Sequence, residues 1–525
     1  MINQVSGPLR RENILRRIGK TGIVEKLVQL LLYLTIAFIF LGVAASFYSL
    51  AILHEGGVAD DVFSILFWLA NLFFGVQTLS FLLSYKRSRY LYHENRDDEL
   101  IYTTSSKVAI LVPLYNEDPV MVEKNLLAIV KNRDYNSTVY VLDDSNDGSF
   151  EVNRELYDRL GLPYFHRTDR RGYKAGALNE ALKNTNEEYI AVIDIDQTPA
   201  PNFVKNTLSI LEKNRDVGYV QVPQYCTNLD AGPLATMSQA QQFVFYEVLM
   251  EAKSVSGSVF SCGTNNIYRR EALKSANYFD ETNLTEDIAT SINMLEKGWR
   301  GLYYNEKLVY GRAPVTMKGY VNQQWRWMRG SLALMPKIFR KIIFNAKYDA
   351  KERLDWLASA LWYLNGWAYL IFLLAPVLVI LNVYVLSLNY VLYIFLWMPY
   401  SLFSILSFLL IHIMKKAKPV FLYYNMAANI MLFPISIEAS LSSVLRINKP
   451  FTTARTGASL PLYELWPQIL MIGLLSLAFV YLIKLGGIYN YVTAFWAAFQ
   501  ISLLALIFAV NREPHRSEVD NPIFV

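Results

Sequence analysis

Charge, cysteine and histidine are all scarce in this chain of 525 residues. Lys, Arg, Asp and Glu make up 18% of it, where a soluble protein carries about 25%, so a sizeable part avoids water. The 50 basic and 45 acidic residues leave +5, too mild a balance to call for nucleic acid. Two cysteines, Cys226 and Cys262, exclude a disulfide framework or a cysteine-rich zinc module. Five scattered histidines give no H-E-x-x-H spacing. Apolar residues, by contrast, reach 53%. The composition is that of an integral membrane protein with a soluble part attached.

Runs free of Asp, Glu, Lys and Arg locate the membrane. Residues 27–53 and 62–85 are such runs, each long enough for a hydrocarbon core that needs about 20 residues. The first is too long for a signal peptide. Two more spans are expected in 356–414, with Asn382 and Asn389 bracketing the turn, and two in 465–483 and 485–511. The apolar stretch 420–446 is interrupted by Asn425, Asn429, Pro434, Ser436 and Glu438, and is basic on both flanks. Laid flat as an interfacial helix, it leaves every basic cluster on one side. The expectation is a multi-pass cell-membrane protein of six spans with both termini cytoplasmic. Its parts are a basic N-terminus (1–26), two spans (27–85), a cytosolic domain (86–355), two spans (356–414), an interfacial segment with a loop (415–464), two spans (465–511) and a tail (512–525).

The cytosolic block reads as alternating strands and helices, hence an α/β domain with a mostly parallel sheet. Strands are expected at 108–113, 139–142 and 189–193, with a helix from Pro119 to about Lys131 between the first two. Ligands of such sheets gather at the carboxyl ends of the strands, where Asp143-Asp144 and Asp194-Ile-Asp196 fall. Alternation along a strand would put Asp194 and Asp196 on one face, a pair suited to a hard divalent cation bridging diphosphate oxygens. A solvated acidic loop is the alternative. Lys174-Ala-Gly-Ala-Leu-Asn179 opens a helix whose small residues let backbone approach a phosphate, with Lys174 adding charge. Thr285-Glu-Asp287 precedes an amphipathic helix and is also an ordinary capping arrangement. Gln323, Arg326 and Trp327 share one helix face, a set suited to a sugar or a diphosphate; an interfacial aromatic-basic helix is the competing reading.

Pro113-Leu-Tyr-Asn-Glu117, Asp143-Asp-Ser145, Lys174-Ala-Gly-Ala-Leu-Asn179, Asp194-Ile-Asp196, Cys262-Gly-Thr-Asn265, Thr285-Glu-Asp287 and Gln323-Gln-Trp-Arg-Trp327 occur in that order. Together they resemble the processive family-2 glycosyltransferases, cellulose synthase above all, with hyaluronan and chitin synthases as relatives, over about residues 20–510. The resemblance implies a GT-A (Rossmann-like) fold inserted in a transmembrane helix bundle. It implies a UDP-sugar donor, Mg²⁺ or Mn²⁺, inversion at the anomeric carbon, and a growing polysaccharide threaded through the chain's own spans. A lipid acceptor taking one sugar is the alternative within this chemistry. A transporter with a nucleotide-binding domain is disfavoured, since the spans show neither an inverted repeat nor an intramembrane charge pair.

Residue by residue, the resemblance implies that Tyr115 and Glu117 hold the base, Asp143 the uridine, and Lys174 the diphosphate side. Asp194 and Asp196 position the sugar nucleotide and bind the metal. Gln323 and Arg326 hold the diphosphate, Trp327 stacks on the acceptor sugar, and Cys262, Gly263 and Thr264 form the acceptor-side segment. Asp287 is the general base, its pKa expected to be lowered by the helix dipole. The family's gating loop corresponds to Phe451-Thr-Thr-Ala-Arg455, with Thr453 and Arg455 in its key positions. It is one residue shorter and has Arg for Lys. The Ala313-Pro-Val-Thr316 string lacks the family's Glu. No C-terminal cyclic-di-GMP-binding barrel is expected.

Overall fold

The continuous apolar run after Lys107 becomes the middle of a sheet, as a strand buried on both faces should. In the computed structural model, which describes residues 23–52, 57–94, 106–134, 136–383, 395, 398–447, 449 and 459–512, the chain divides into two compact units. One lies within Met1–Asp97, Ala368–Tyr423 and Leu470–Ser502, the other within Asp98–Trp367, Tyr424–Ile469 and Leu503–Val525.

The second unit is built on a seven-stranded sheet of order β3-β2-β1-β4-β8-β6-β9. Its strands are β1 (Val108–Leu114), β2 (Ser137–Asp143), β3 (Tyr164–His166), β4 (Tyr189–Val192), β6 (Val217–Gln221), β8 (Asn266–Arg269) and β9 (Arg300–Tyr303); β5 (Thr198–Pro199), β7 (Tyr225–Cys226) and β10 (Val309–Gly311) form a small second sheet. Neighbours pair in parallel except around β8, which runs antiparallel to both β4 and β6. The sheet is therefore mixed, and mostly parallel as expected.

Alternation along β1 sends Val108, Ile110, Val112 and Leu114 into a core with Leu126 and Ile129 of a helix at Pro119–Asn132. Ala109 and Leu111 enter the opposite core with Leu178 and Ala181 of a helix at Tyr173–Asn184. Pro113 sits late in β1 without harm. Ile193 N donates to Leu111 O (3.1 Å), so the β4 side of β1 is served by odd-numbered residues, and β4 pairs only as far as Leu111. The N–H that proline lacks points where the ladder has already ended.

The first unit contains a helix at Ile23–Ile52 and one at Val58–Glu94, which runs beyond the span expected to end at residue 85. They pack with a helix at Met398–Met414 through Phe38–Phe403 and Phe81–Phe408, ring centroids 5.4 and 4.1 Å apart. Four described helices are long and apolar enough to cross a membrane: Val58–Tyr85, Ala350–Leu381, Leu462–Leu485 and Ile488–Val510; Gln29–Gly42 and Met398–Met414 are shorter apolar helices. Asn382 ends its helix in the left-handed region as the expected turn requires, and Asn389 lies outside the described residues.

The interrupted stretch 420–446 forms two helices. Val420–Met431 and Phe433–Leu445 meet at a 48° bend, just before Pro434, which can begin a helix but not continue one. Ser436 anchors the second helix, donating to Tyr363 O (2.6 Å) and accepting from Gly366 N (3.1 Å).

Candidate active site

The carboxyl ends of β1 and β2 are stitched together by side chains. Asn116 (φ +51°) donates its N–H to Ser145 Oγ (2.8 Å) and exchanges amide hydrogen bonds with Asn146 (3.0 and 2.9 Å). Tyr115 and Glu117 flank this stitch, both partly buried. Asp143, expected at the uridine, closes the end of β2. It is 0% exposed and its carboxylate accepts from Tyr157 OH (2.6 Å) and Ser145 N (2.9 Å). A carboxylate enclosed in this way holds the strand end together. Asp144 beside it is gripped by Arg167 (2.9 and 2.5 Å).

Gly176 explains the small residues after Lys174 differently from a phosphate approach. A Cβ there would lie 1.9 Å from Arg171 O and 2.6 Å from Arg167 Nη1, so the close backbone is the chain's own. Lys174 forms an ion pair with Asp194 (2.5 Å). Burial opposes the lysine's charge, but Asp194 and Glu286 outweigh it and hold its pKa above the ordinary value.

Asp194 and Asp196 lie beyond β4, in a turn closed by Gln197 N donating to Asp194 O (2.8 Å). The turn, not strand alternation, brings them together. Asp194 is pushed up in pKa by burial, against the pull of Lys174 and with repulsion from Asp196 added. Among the described residues no three acids, histidines or cysteines cluster tightly enough to hold a metal by themselves.

The Cys262–Asn265 segment is bound to the same place. Thr264 Oγ1 accepts from Asp194 N (2.9 Å). Gln221, 1% exposed in β6, accepts from Cys262 N (2.8 Å) and donates to Thr264 O (2.8 Å). Cys262 is kept a neutral thiol: burial, then Asp287, push its pKa up. Gly263, at φ +80°, lies against Asp287, and a Cβ there would be 3.2 Å from Asp287 Oδ2.

Thr285 stands at the N-cap of the helix Glu286–Glu296 but makes no capping hydrogen bond. The capping reading therefore fails for Thr285. Its methyl group packs on Gly330, where a Cβ would lie 2.5 Å away, which seats this turn on the helix Met317–Ala333. Asp287 accepts from Ile288 N (2.8 Å). Its pKa is raised to about 7, by burial first and by Glu286 second. This overturns the expected lowering: desolvation and a neighbouring carboxylate outweigh the helix terminus.

On Met317–Ala333, capped by Thr316 accepting from Gly319 N (3.3 Å), Gln323 and Arg326 are partly buried and Trp327 is 36% exposed. Gln323 Oε1 is buried with no hydrogen-bond partner. Arg326 interacts with Glu286 and Asp194, and burial lowers its pKa. Trp325 and Arg329 serve other contacts, with Lys449 lying over the Trp325 ring at 5.1 Å and Arg329 donating to Ile447 O (3.1 Å).

Lys174, Asp194, Glu286, Asp287 and Arg326 thus converge electrostatically from four separate sequence motifs. Glu286, Gln221, Asn116 and Arg167 were given no role from sequence. Only Gln221 carried a signal, as a lone amide in a buried strand. Thr453 and Arg455 lie outside the described residues.

Residues 189–433 match the sequence model of glycosyl transferase family group 2. The chain carries a family-2 glycosyltransferase domain. Rice glucomannan 4-beta-mannosyltransferase 1 is 30% identical over 264 residues, 48% of this chain and 50% of that protein. Glucomannan 4-beta-mannosyltransferase 2 of Arabidopsis thaliana is 27% identical, over 54% of this chain and 56% of that protein. Putative cellulose synthase 2 of Komagataeibacter xylinus is also 27% identical, over 51% of this chain and 18% of that protein. The chain spans about half the length of these plant relatives and far less of the bacterial one. A mannosyltransferase from Pyrobaculum calidifontis, solved with GDP-Man and Mn²⁺, superposes with a TM-score of 0.52 at 22% identity, covering 73% of this chain and 100% of that one. That likeness establishes the GT-A-like fold of the glycosyltransferase domain.

Proposed function

We propose that the chain is a membrane-embedded, inverting β-glycosyltransferase that extends a β-linked polysaccharide from a nucleotide sugar and passes it through its own spans. The observation that carries this is the division of labour among the buried acids. Asp194 is engaged by Lys174, while Asp287, with a pKa of about 7, has Glu286 as its neighbour. Both pKa values are raised, but the ion pair ties Asp194 to Lys174, which suits the two acids to different tasks. Asp287, near neutral, is able to take the acceptor hydroxyl proton as the hydroxyl attacks the anomeric carbon. One base suffices, because inversion needs no carboxylate nucleophile on the enzyme. Lys174 and Arg326 are charges for the diphosphate that leaves. Trp327 offers the acceptor ring a flat, partly open face.

Four acids (Asp194, Asp196, Glu286, Asp287) against two bases (Lys174, Arg326) leave a formal excess of two negative charges where a diphosphate is to bind. Two carboxylates together with substrate oxygens suit Mg²⁺ or Mn²⁺, so the donor set fits such an ion at Asp194 and Asp196. When bound, the ion would stabilise charge on the leaving diphosphate.

The names of the plant relatives favour a mannosyl donor as a second reading beside a glucosyl one. Membranes containing the chain, incubated with UDP-glucose and with GDP-mannose, should convert one of them into a β-linked glycan. Release of nucleotide without a glycosidic product from either would refute the polymerase reading.

A further inference from the structure

The loop before Lys174 is bent against its residues' preferences. Arg170 (φ +44°) and Tyr173 (φ +49°) are left-handed, with Gly172 (φ +69°) beside Tyr173. A non-glycine residue so placed strains the backbone. Arg167 maintains the bend: while gripping Asp144 it donates to the carbonyls of Arg171 and Tyr173, both at 2.8 Å. The bend brings the Arg170 guanidinium over the Tyr115 ring, 3.2 Å from its centroid, with the Tyr173 ring 5.6 Å away.

Stacking occupies the faces of a guanidinium and leaves its N–H edge for hydrogen bonds. At Arg170 that edge is unused in one respect: Nε is buried and has no hydrogen-bond partner among the described residues. A buried donor without an acceptor is unfavourable. Strained backbone, a tight stack and an unanswered donor therefore meet at one residue, on the ring assigned to the base of the donor nucleotide. What would satisfy the donor is an acceptor in the plane of the guanidinium. The carbonyl edge of uracil or the O6/N7 edge of guanine supplies one; adenine has no carbonyl.

We propose that Arg170 selects the nucleobase of the sugar donor, donating its N–H edge to a base carbonyl while resting on Tyr115. This rests on reading the site as a nucleotide-sugar site. The test is competition binding of UDP, GDP and ADP to the full chain in detergent with Mn²⁺ present, for the wild type, Arg170→Gly and Arg170→Lys. Glycine suits the left-handed backbone, so the first variant keeps the loop folded. Lysine keeps the charge and loses the planar fork. The wild type should bind UDP or GDP about tenfold more tightly than ADP, and both variants should lose that preference through weaker UDP or GDP binding with ADP unchanged. Equal weakening of all three nucleotides would reduce Arg170 to a general positive charge and overturn the proposal. Unchanged or tighter UDP and GDP binding in Arg170→Gly would also overturn it, since Arg170 would then only cover Tyr115 in the empty site. A wild type that binds none of the three would instead refute the nucleotide-sugar reading itself.

Discussion

Replacing Asp287 with Asn separates catalysis from stability in opposite directions. Asn keeps the size of the side chain and can still accept from Ile288 N, but it cannot take a proton. Loss of a general base lowers turnover by about 10²–10⁴-fold, and that is the expected loss of sugar transfer, with donor binding retained. The stability change follows from the pKa of about 7 against an ordinary 3.8. Three units at about 1.4 kcal/mol each give a ceiling near 4 kcal/mol for ionising Asp287 in the folded chain. The folded state binds more protons than the unfolded one between these two values, so the wild type loses stability as pH rises from about 4 to 7. Asn is free of that loss. Its advantage should be small at pH 4 and fully developed at pH 8, read as the difference in apparent Tm from the wild type. In the wild type, transfer should rise about tenfold per pH unit below pH 7 and level off above it. A variant active within a few-fold of wild type, or one less stable than wild type at both pH values, would leave Asp287 as a helix-end hydrogen-bond acceptor and refute the reasoning.

Gly263→Ala places a methyl group 3.2 Å from the Asp287 carboxylate at φ +80°. It should cost about 1–2 kcal/mol of stability from backbone strain and a far larger share of activity, seen by comparing unfolding with transfer rates. Trp327→Ala should slow elongation more than hydrolysis of the donor, because it removes the acceptor's stacking face; equal loss of both in a product assay would assign Trp327 a structural part. Excess chelator should abolish transfer, and Asp196→Asn should weaken metal affinity while leaving Tm nearly unchanged. Single cysteines at Lys416 and Arg446 should label from the same, cytosolic, side of intact vesicles; opposite sides would mean that 420–446 crosses the membrane.

The chemistry-bearing residues and the order of strands and helices were legible in the sequence because they depend on local pattern. A buried parallel strand is a continuous apolar run, a membrane helix is a long uncharged one, and acids at the ends of strands mark where such sheets bind ligands. Gln323, Arg326 and Trp327 were placed together by helical spacing, and Trp325 and Arg329 were set apart from them by the same rule.

What each side chain faces was decided only by the fold. Asp143 ends a strand and Asp194 follows one, yet Tyr157 and Ser145 N enclose the first, while the second meets Lys174 from a helix. The bend before Pro434 belongs to a segment that its composition read as a single interfacial helix. The pKa of Asp287 depends on how much water its neighbours exclude and on Glu286, and these outweigh the helix terminus visible in sequence. Sequence lists the groups able to take up a proton or a charge. Burial and the distance between groups brought together from remote parts of the chain determine which of them does so, because desolvation and Coulomb energy depend on three-dimensional separation.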